Sequence, residues 1–238
     1  YTYLKYCGVR SLDYVFISHP DKDHVNGIYE LIELCDNTFE IGTVVLPGIS
    51  RAAAVKKQAD DDMSKLERIL KAAGINVVYA DAGDCIKSGE FSVECMHPCE
   101  GYNYESANDY SAVYLVEYGD FSMLMTGDAE KKAEKCIIED VNSMTGDAGE
   151  PARLVSVNIL KVGHHGSKGA SSEEFLSYVK PETALISSGA GNSYGHPHTQ
   201  TLQRLSGIGA KVYRTDESGE IAVRVRDGSY KIEVFKAL

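Results

Sequence analysis

Between Phe16 and His24 the chain reads Phe-Ile-Ser-His-Pro-Asp-Lys-Asp-His, so His19, Asp21, Asp23 and His24 fall within six positions. Imidazole nitrogens and carboxylate oxygens are the ordinary protein ligands of divalent cations, and a rigid strand end holds them in fixed geometry. Tyr14–Ile17 is apolar and β-prone, as expected of a strand covered on both faces. After His24 the period becomes helical, with Val25, Ile28, Leu31, Ile32 and Leu34 forming one stripe and Gly27 allowing close packing in the first turn. One Asp and one His before a helix would need only capping and dipole arguments. The full H-x-D-x-D-H spacing predicts a metal site.

Two other segments offer the same chemistry. Phe121–Met125 is an apolar run that ends in Thr-Gly-Asp, placing Asp128 at a strand terminus. Leu160–Ser167 reads Leu-Lys-Val-Gly-His-His-Gly-Ser and delivers His164 and His165 in a glycine-flanked turn. Alone, Gly-Asp is a turn with a helix cap, and paired histidines fit a surface turn as well as a ligand role. Three strand ends that each offer ligands predict one convergent site.

These ligands need a scaffold. Strand patterns occur at 14–17, 43–46, 75–79, 91–96, 112–117, 121–125, 154–160, 183–187, 211–214, 221–225 and 230–235, and helical patterns at 25–35, 51–73, 130–141, 173–179 and 200–205. Adjacent strands without intervening helices predict an α+β layered fold rather than a simple dinucleotide-binding sheet. Residues 140–151 are expected to form a surface loop, and the polar loop 97–110 to overhang the site. With no repeat and no low-complexity linker, the 238 residues read as one domain.

A net charge of −11 argues against a broad basic nucleic-acid surface. Lys56, Lys57, Lys65, Arg68 and Lys71 share one long helix and read as a solvated face, with a local nucleic-acid track as the alternative. No run reaches membrane-spanning length and no signal peptide opens the chain, so it is expected to be soluble as given. Six cysteines lack paired spacing; Cys95 and Cys99 would be half a zinc site, and buried thiols are the simpler expectation.

Taken together, S-H-P-D-K-D-H, L-M-T-G-D-A, L-K-V-G-H-H-G-S-K and N-S-Y-G-H-P-H resemble the metallo-β-lactamase superfamily, and within it the C-terminal domain of the ComEC family of DNA-uptake competence proteins. The likeness runs from about residue 8 to about residue 226. It implies an αββα sandwich with metals between the sheet edges, in an extracytoplasmic domain attached to a membrane DNA channel and degrading the non-transported strand. By resemblance, His19 and Asp21 would bind one ion, Asp23 and His24 the second, Asp128 would bridge them, and His165, or His164 in its place, would complete the set. His196, in Gly-His-Pro, would contact substrate or leaving group.

The chain departs from the superfamily pattern in three places. Asp21 replaces the second histidine of H-x-H-x-D-H, as in the ComEC-like branch. The mid-chain histidine is missing, and Asn108 or Asp109 stands there instead. Both changes make the site oxygen-rich, which shifts preference from Zn2+ toward Mn2+ or Mg2+. His97 lies too early to match and reads as structural. Relatives also carry a strand pair with D-V-G-Q-G-D before this segment, so the fold is expected to lack its first strands, a truncated start relative to the family.

Two ions about 4 Å apart would activate water for in-line attack on a phosphodiester. Ser167, Lys168, Ser171 and Ser172 precede a helix start where Ser171 and Glu174 read as a capping box, and the segment serves equally as a simple cap or, with Lys168, as a phosphate perch. Asn192, Ser193, Tyr194 and His196 line the same expected rim. The expected catalytic set is therefore Asp23, Lys168 and His196, with Ser167, Lys168, Asn108, Asn192 and His196 binding substrate. The leading expectation is a single-stranded DNA nuclease of low intrinsic affinity. Hydrolysis of a small ester, lactone or phosphodiester is the second reading, and a non-catalytic binding module the third.

Overall fold

A computed structural model describes residues 1–34, 39–48, 57–99, 106, 108–144 and 156–235. A short helix, α1 (Thr2–Tyr6), leads into β1 (Ser11–Phe16), which is followed by α2 (Lys22–Leu34), β2 (Glu40–Pro47), α3 (Lys57–Ala72) and β3 (Asn76–Ala80). The order is β-α-β-α-β, and β1, β2 and β3 pair in parallel in that order, as helical crossovers require.

From β3 onward the pattern changes to a meander. β4 (Cys85–Ser88), β5 (Phe91–His97), β6 (Val113–Tyr118) and β7 (Phe121–Met125) are antiparallel neighbours. The chain then alternates through α4 (Lys131–Met144), β8 (Ile159–Lys161), α5 (Glu173–Val179), β9 (Thr183–Ile186), α6 (Thr199–Gly207) and β10 (Lys211–Arg214), adding β8, β9 and β10 in parallel beyond β7. A short helix, α7 (Thr215–Ser218), and the hairpin β11 (Glu220–Arg226)–β12 (Ser229–Phe235) follow.

Side-chain alternation assigns the layers. In β2, Val44 and Leu46 join Val25, Ile28 and Leu31 of α2 and Met63, Leu66 and Leu70 of α3, while Val45 faces the opposite way. In β6, Val113 and Leu115 pack with α4 and α5, while Tyr114 and Val116 turn toward Val45 and Phe16. Period-two strands thus bury both faces: each sheet has helices outside and the other sheet inside. That is the αββα sandwich expected from the sequence.

Among the described residues β1 pairs only with β2, and an apolar cavity of about 870 Å3 runs beside it, between Leu12, Tyr14 and Phe16 on one side and Ile86, Val93 and Tyr114 on the other.

Several sequence expectations need correction. Residues 140–144 are not loop but the last turns of α4; 145–151 lie outside the described residues. The strand expected at 154–160 is observed only as Ile159–Lys161, with 154 and 155 outside the described residues. Just before it, the Asn158 side chain takes over the edge, accepting the Ser122 backbone N–H at 2.9 Å. β4 and α1 were not read from the sequence. Cys99 and Cys136 are joined as a disulfide between the end of β5 and α4, where free thiols were expected. Cys7 and Cys85 are exposed and free, and Cys95 is a buried thiol whose pKa burial pushes up to about 12. Lys56, and the Lys57 side chain, are outside the described residues; on the same helix Lys71 pairs with Glu67, as on a solvated face. Among the described residues no helix is long and apolar enough to cross a membrane.

Candidate metal centre

The ligand-bearing segments meet at one edge of the sandwich. Ser18 and His19 leave β1, and the Ser18 carbonyl accepts the Ala112 N–H at 2.7 Å, stitching this end to the start of β6. Asp128 follows the β7 turn, where its own N–H donates to Ser111 Oγ at 3.0 Å. Gly127 sits between these partners at φ +51°, and a Cβ there would come 2.8 Å from Ser18 Cβ and 3.0 Å from Ser111 Cβ. Only glycine meets both demands.

His164 and His165 lie in a short 3-10 turn after β8, and both have left-handed backbones, φ 45° and 54°. Adjacent non-glycine residues in that region are costly and persist only where surrounding structure holds them. Here the His164 N–H is held by Gly127 O at 3.1 Å, and the His198 N–H by Gly166 O at 2.9 Å.

Asp128 is the hub. His24 Nε2 lies 3.2 Å from its Oδ1; His164 Nε2 and His165 Nε2 lie 3.7 Å, and His19 Nε2 3.9 Å, from its Oδ2. Asp23 Oδ2 is 3.1 Å from His165 Nε2, and Asp21 Oδ2 is 3.7 Å from His19 Nε2. Candidate atoms of Asp23, His24, Asp128 and His165 all lie within 4.8 Å of one another. All seven residues expected as ligands are thus in one cluster, including both alternatives, His164 and His165.

Each imidazole is steered from behind. Ser18 Oγ is 3.2 Å from His19 Nδ1 and 3.0 Å from His24 Nδ1. With the hydroxyl oxygen accepting from Nδ1–H, the Nε2 lone pair of each ring is left for a metal. His165 Nδ1 donates to Ser187 O, and His164 Nδ1 to Glu130 Oε1, each at 2.8 Å. Orientation of ligand histidines by a carbonyl, carboxylate or hydroxyl on the far nitrogen is the usual arrangement in metal sites.

Donor chemistry and burial fit divalent cations. Among the described residues His19 Nε2 is buried without a hydrogen-bond partner, and the buried His24 Nε2 and Asp128 Oδ1 have only each other, 3.2 Å apart. Buried polar atoms are otherwise nearly always satisfied. These atoms, beside the carboxylates of Asp21 and Asp23, fit a cation. Electrostatics agree. Burial, then Asp23 and Asp128, raise the Asp21 carboxyl above its ordinary value. Burial, followed by His24, lowers His19 to about 4 and keeps it neutral, the form that binds metal. Burial opposes the charge of Asp128, but His24, Lys161 and His19 outweigh it and hold the carboxyl well below its usual range.

The remaining expected site residues divide. The Asn108 amide is 3.3 Å from the His164 ring nitrogens, at the cluster. The His196 ring is 5.4 Å from His164 and 6.3 Å from His165, centroid to centroid. Ser167 Oγ donates to Glu130 Oε1 at 3.2 Å, so it braces the carboxylate behind His164. The Asn192 amide donates to His196 O at 2.6 Å and to Gly189 O at 2.9 Å, and its oxygen accepts the His196 N–H. It shapes the His196 loop. Lys168 lines a neighbouring cavity of about 720 Å3 with Lys131, Lys132 and Asp109, adjoining the cluster through Glu130.

The expected capping box is displaced by one residue. Ser172, not Ser171, caps α5, accepting the Phe175 N–H at 3.3 Å. Ser171 has φ +53° and, with Ser172, donates its backbone N–H to the buried Glu134 carboxylate. Ser18, Glu130 and Lys161 were missed as site residues. Lys161 Nζ donates to Gly127 O at 2.9 Å beneath Asp128. Position within the motifs, one residue before His19 and two after Asp128, could have flagged Ser18 and Glu130.

No family model matches the chain. ComE operon protein 3 of Bacillus subtilis (strain 168) is 31% identical over 223 residues, 92% of this chain and 25% of its own length. Competence protein ComA of Neisseria gonorrhoeae is 30% identical over 234 residues, 97% of this chain and 28% of its own. The chain therefore spans about a quarter of the length of these relatives. Among solved structures, the metallo-β-lactamase fold protein YhfI from Bacillus subtilis superposes with a TM-score of 0.50 at 11% identity, covering 89% of this chain and 78% of that one. The chain has the metallo-β-lactamase fold, and in sequence it resembles the matching quarter of the ComEC-type competence proteins.

Proposed function

We propose that residues 1–238 form one metal-dependent phosphodiesterase domain that cleaves single-stranded DNA during uptake, as the extracytoplasmic part of a longer membrane channel protein. One observation carries the metal-dependent reading: the buried Nε2 atoms of His19 and His24, 3.9 and 3.2 Å from the Asp128 carboxylate, have no other hydrogen-bond partner among the described residues. Similarity to competence proteins supports the DNA setting.

His19 and Asp21 would hold one divalent ion, Asp23 and His24 a second, with Asp128 between and His164 and His165 closing the far side. Mn2+ or Mg2+ suits the oxygen-rich set, and Zn2+ the imidazoles. Such ions supply Lewis acidity toward water and toward a phosphoryl oxygen. The chain's own residues do the rest. Glu130 and the Ser187 carbonyl, which can only accept, fix the tautomers of His164 and His165, and Ser18 positions the rings of His19 and His24. Burial, then the neighbouring histidines, lower the His196 pKa, so its neutral ring offers an N–H donor to a phosphate or leaving oxygen. Asn108 offers amide hydrogens beside His164, and Lys168 a positive charge nearby.

The net charge of −11 favours one alternative, a small ester or phosphodiester substrate that needs no basic track. Incubation of the purified chain with single-stranded DNA and with a chromogenic phosphodiester in manganese separates the two. DNA cleavage abolished by chelation supports the nuclease. Intact DNA beside a cleaved small ester replaces it with the alternative, and neither cleaved leaves only a binding module.

A further inference from the structure

The loop between β9 and α6 carries an aromatic ring that the chemistry above leaves unused. Tyr194 is 77% exposed. Its ring is nearly parallel to that of His196, with an interplanar angle of 23° and centroids 5.8 Å apart. His196 in turn is nearly parallel to His165, at 21° and 6.3 Å. Three rings thus form a stair from the metal cluster to solvent, and Tyr194 is its outer step.

A lone exposed tyrosine is common and usually means nothing. This one is held in place. The Asn192 side chain brackets the turn on both sides of His196, the His198 N–H is fixed to Gly166 O, and Pro197 packs on Gly166 so closely that a Cβ there would lie 2.5 Å from Pro197 Cβ. Among the described residues the Tyr194 hydroxyl has no hydrogen-bond partner to justify the position.

The geometry points to Tyr194 as a stacking platform for an unpaired nucleobase next to the scissile phosphate. The inference rests on the nucleic-acid reading of the site and deepens it, because it specifies single strands. A ring face recognises any base but only one free of its duplex partners, and it adds affinity without positive charge. That answers how a chain of net charge −11 could grip DNA.

The test uses binding in chelator, so that no turnover is needed. Fluorescence anisotropy of labelled oligothymidylate, an abasic oligonucleotide of equal length and a duplex is measured against the native chain, Tyr194→Ala, Tyr194→Phe and Tyr194→Trp. Loss of one stacked base corresponds to roughly five- to a hundred-fold weaker binding. We expect that loss for Tyr194→Ala on oligothymidylate alone, retention within about twofold for the Phe and Trp variants, and quenching of the introduced Trp by bound bases. Equal losses on abasic and base-bearing strands, a Phe variant as weak as Ala, or native binding that favours duplex would each overturn the inference. Cleavage in manganese is scored separately. Oligothymidylate bound through Tyr194 but never cleaved sinks the nuclease and keeps the platform; cleavage indifferent to Tyr194 does the reverse.

Discussion

Glu130 Oε1 accepts a hydrogen bond from His164 Nδ1 at 2.8 Å, and this pair turns His164 Nε2 toward Asp128. The hydrogen bond to His164 holds the Glu130 carboxyl below its ordinary pKa, and the same bond raises that of His164. A carboxylate behind a ligand imidazole fixes its tautomer and raises its basicity, and losing one costs about 10- to 100-fold in metal affinity or activity. Glu130→Ala is expected to lose metal affinity by about that factor, read by titration calorimetry, while the melting temperature of the metal-free protein changes little. An unchanged affinity would remove Glu130 from the site.

Metal binding should stabilise the fold, because the ligand set exists only in the folded chain. At a free concentration of 100 times Kd, a cation adds about 2.7 kcal/mol. Thermal melts with manganese should therefore shift upward and return with chelator. Asp23→Ala, at an exposed position, should abolish the shift and hydrolysis together while leaving the metal-free melt in place. An undiminished shift in that variant would assign the ion elsewhere.

His97 gives the stability curve an acid limb. It is fully buried, its Nδ1 lies 2.8 Å from Ser111 O, and burial lowers its pKa from 6.5 to about 4. The unfolded chain takes up a proton below pH 6.5, whereas the folded chain resists until about pH 4. Stability is therefore full above pH 6.5 and falls as pH drops through that window, by about 3 kcal/mol for a shift of this size. His19 acts in the same direction. Urea titrations at pH 7, 5 and 4 should show the loss, and His97→Gln should flatten part of it. A slope identical in both proteins would place the acid limb in other groups.

The Cys99–Cys136 bond spans 37 positions. By the loop-entropy estimate, a ring of that size stabilises the fold by about 4 kcal/mol. Denaturant midpoints measured with and without a phosphine reductant should differ accordingly, and Cys136→Ala should match the reduced native protein. Equal midpoints would mean that the two thiols do not cross-link in solution.

The clustered candidate ligands were legible because each sits where an apolar strand stops: Ile17 before His19, Met125 before Asp128, Val162 before His164. Strand ends are set by local composition, so the sequence carries them. The helices α5 and α6 and the strands β7 and β10 were legible for the same reason. The supporting residues were not. Ser18 and Glu130 matter only through which ring nitrogen they face, and that depends on backbone paths from three separate segments. The Ser171/Glu174 box fits its pattern, yet the buried Glu134 draws both N–H groups and moves the cap to Ser172. Cys99 and Cys136 pair across two elements distant in sequence, which no spacing rule records. β4 is a short edge strand whose partner, not its composition, makes it a strand.

The two left-handed histidines have one more consequence. Glycine is at ease at such φ values, and His164→Gly or His165→Gly would relieve the backbone while deleting the imidazole. Either variant is expected to outlast the native chain on heating. Such a tension between durability and chemistry is what selection tolerates at a working site. Screens that reward thermal robustness alone would steer this polypeptide toward losing these imidazoles.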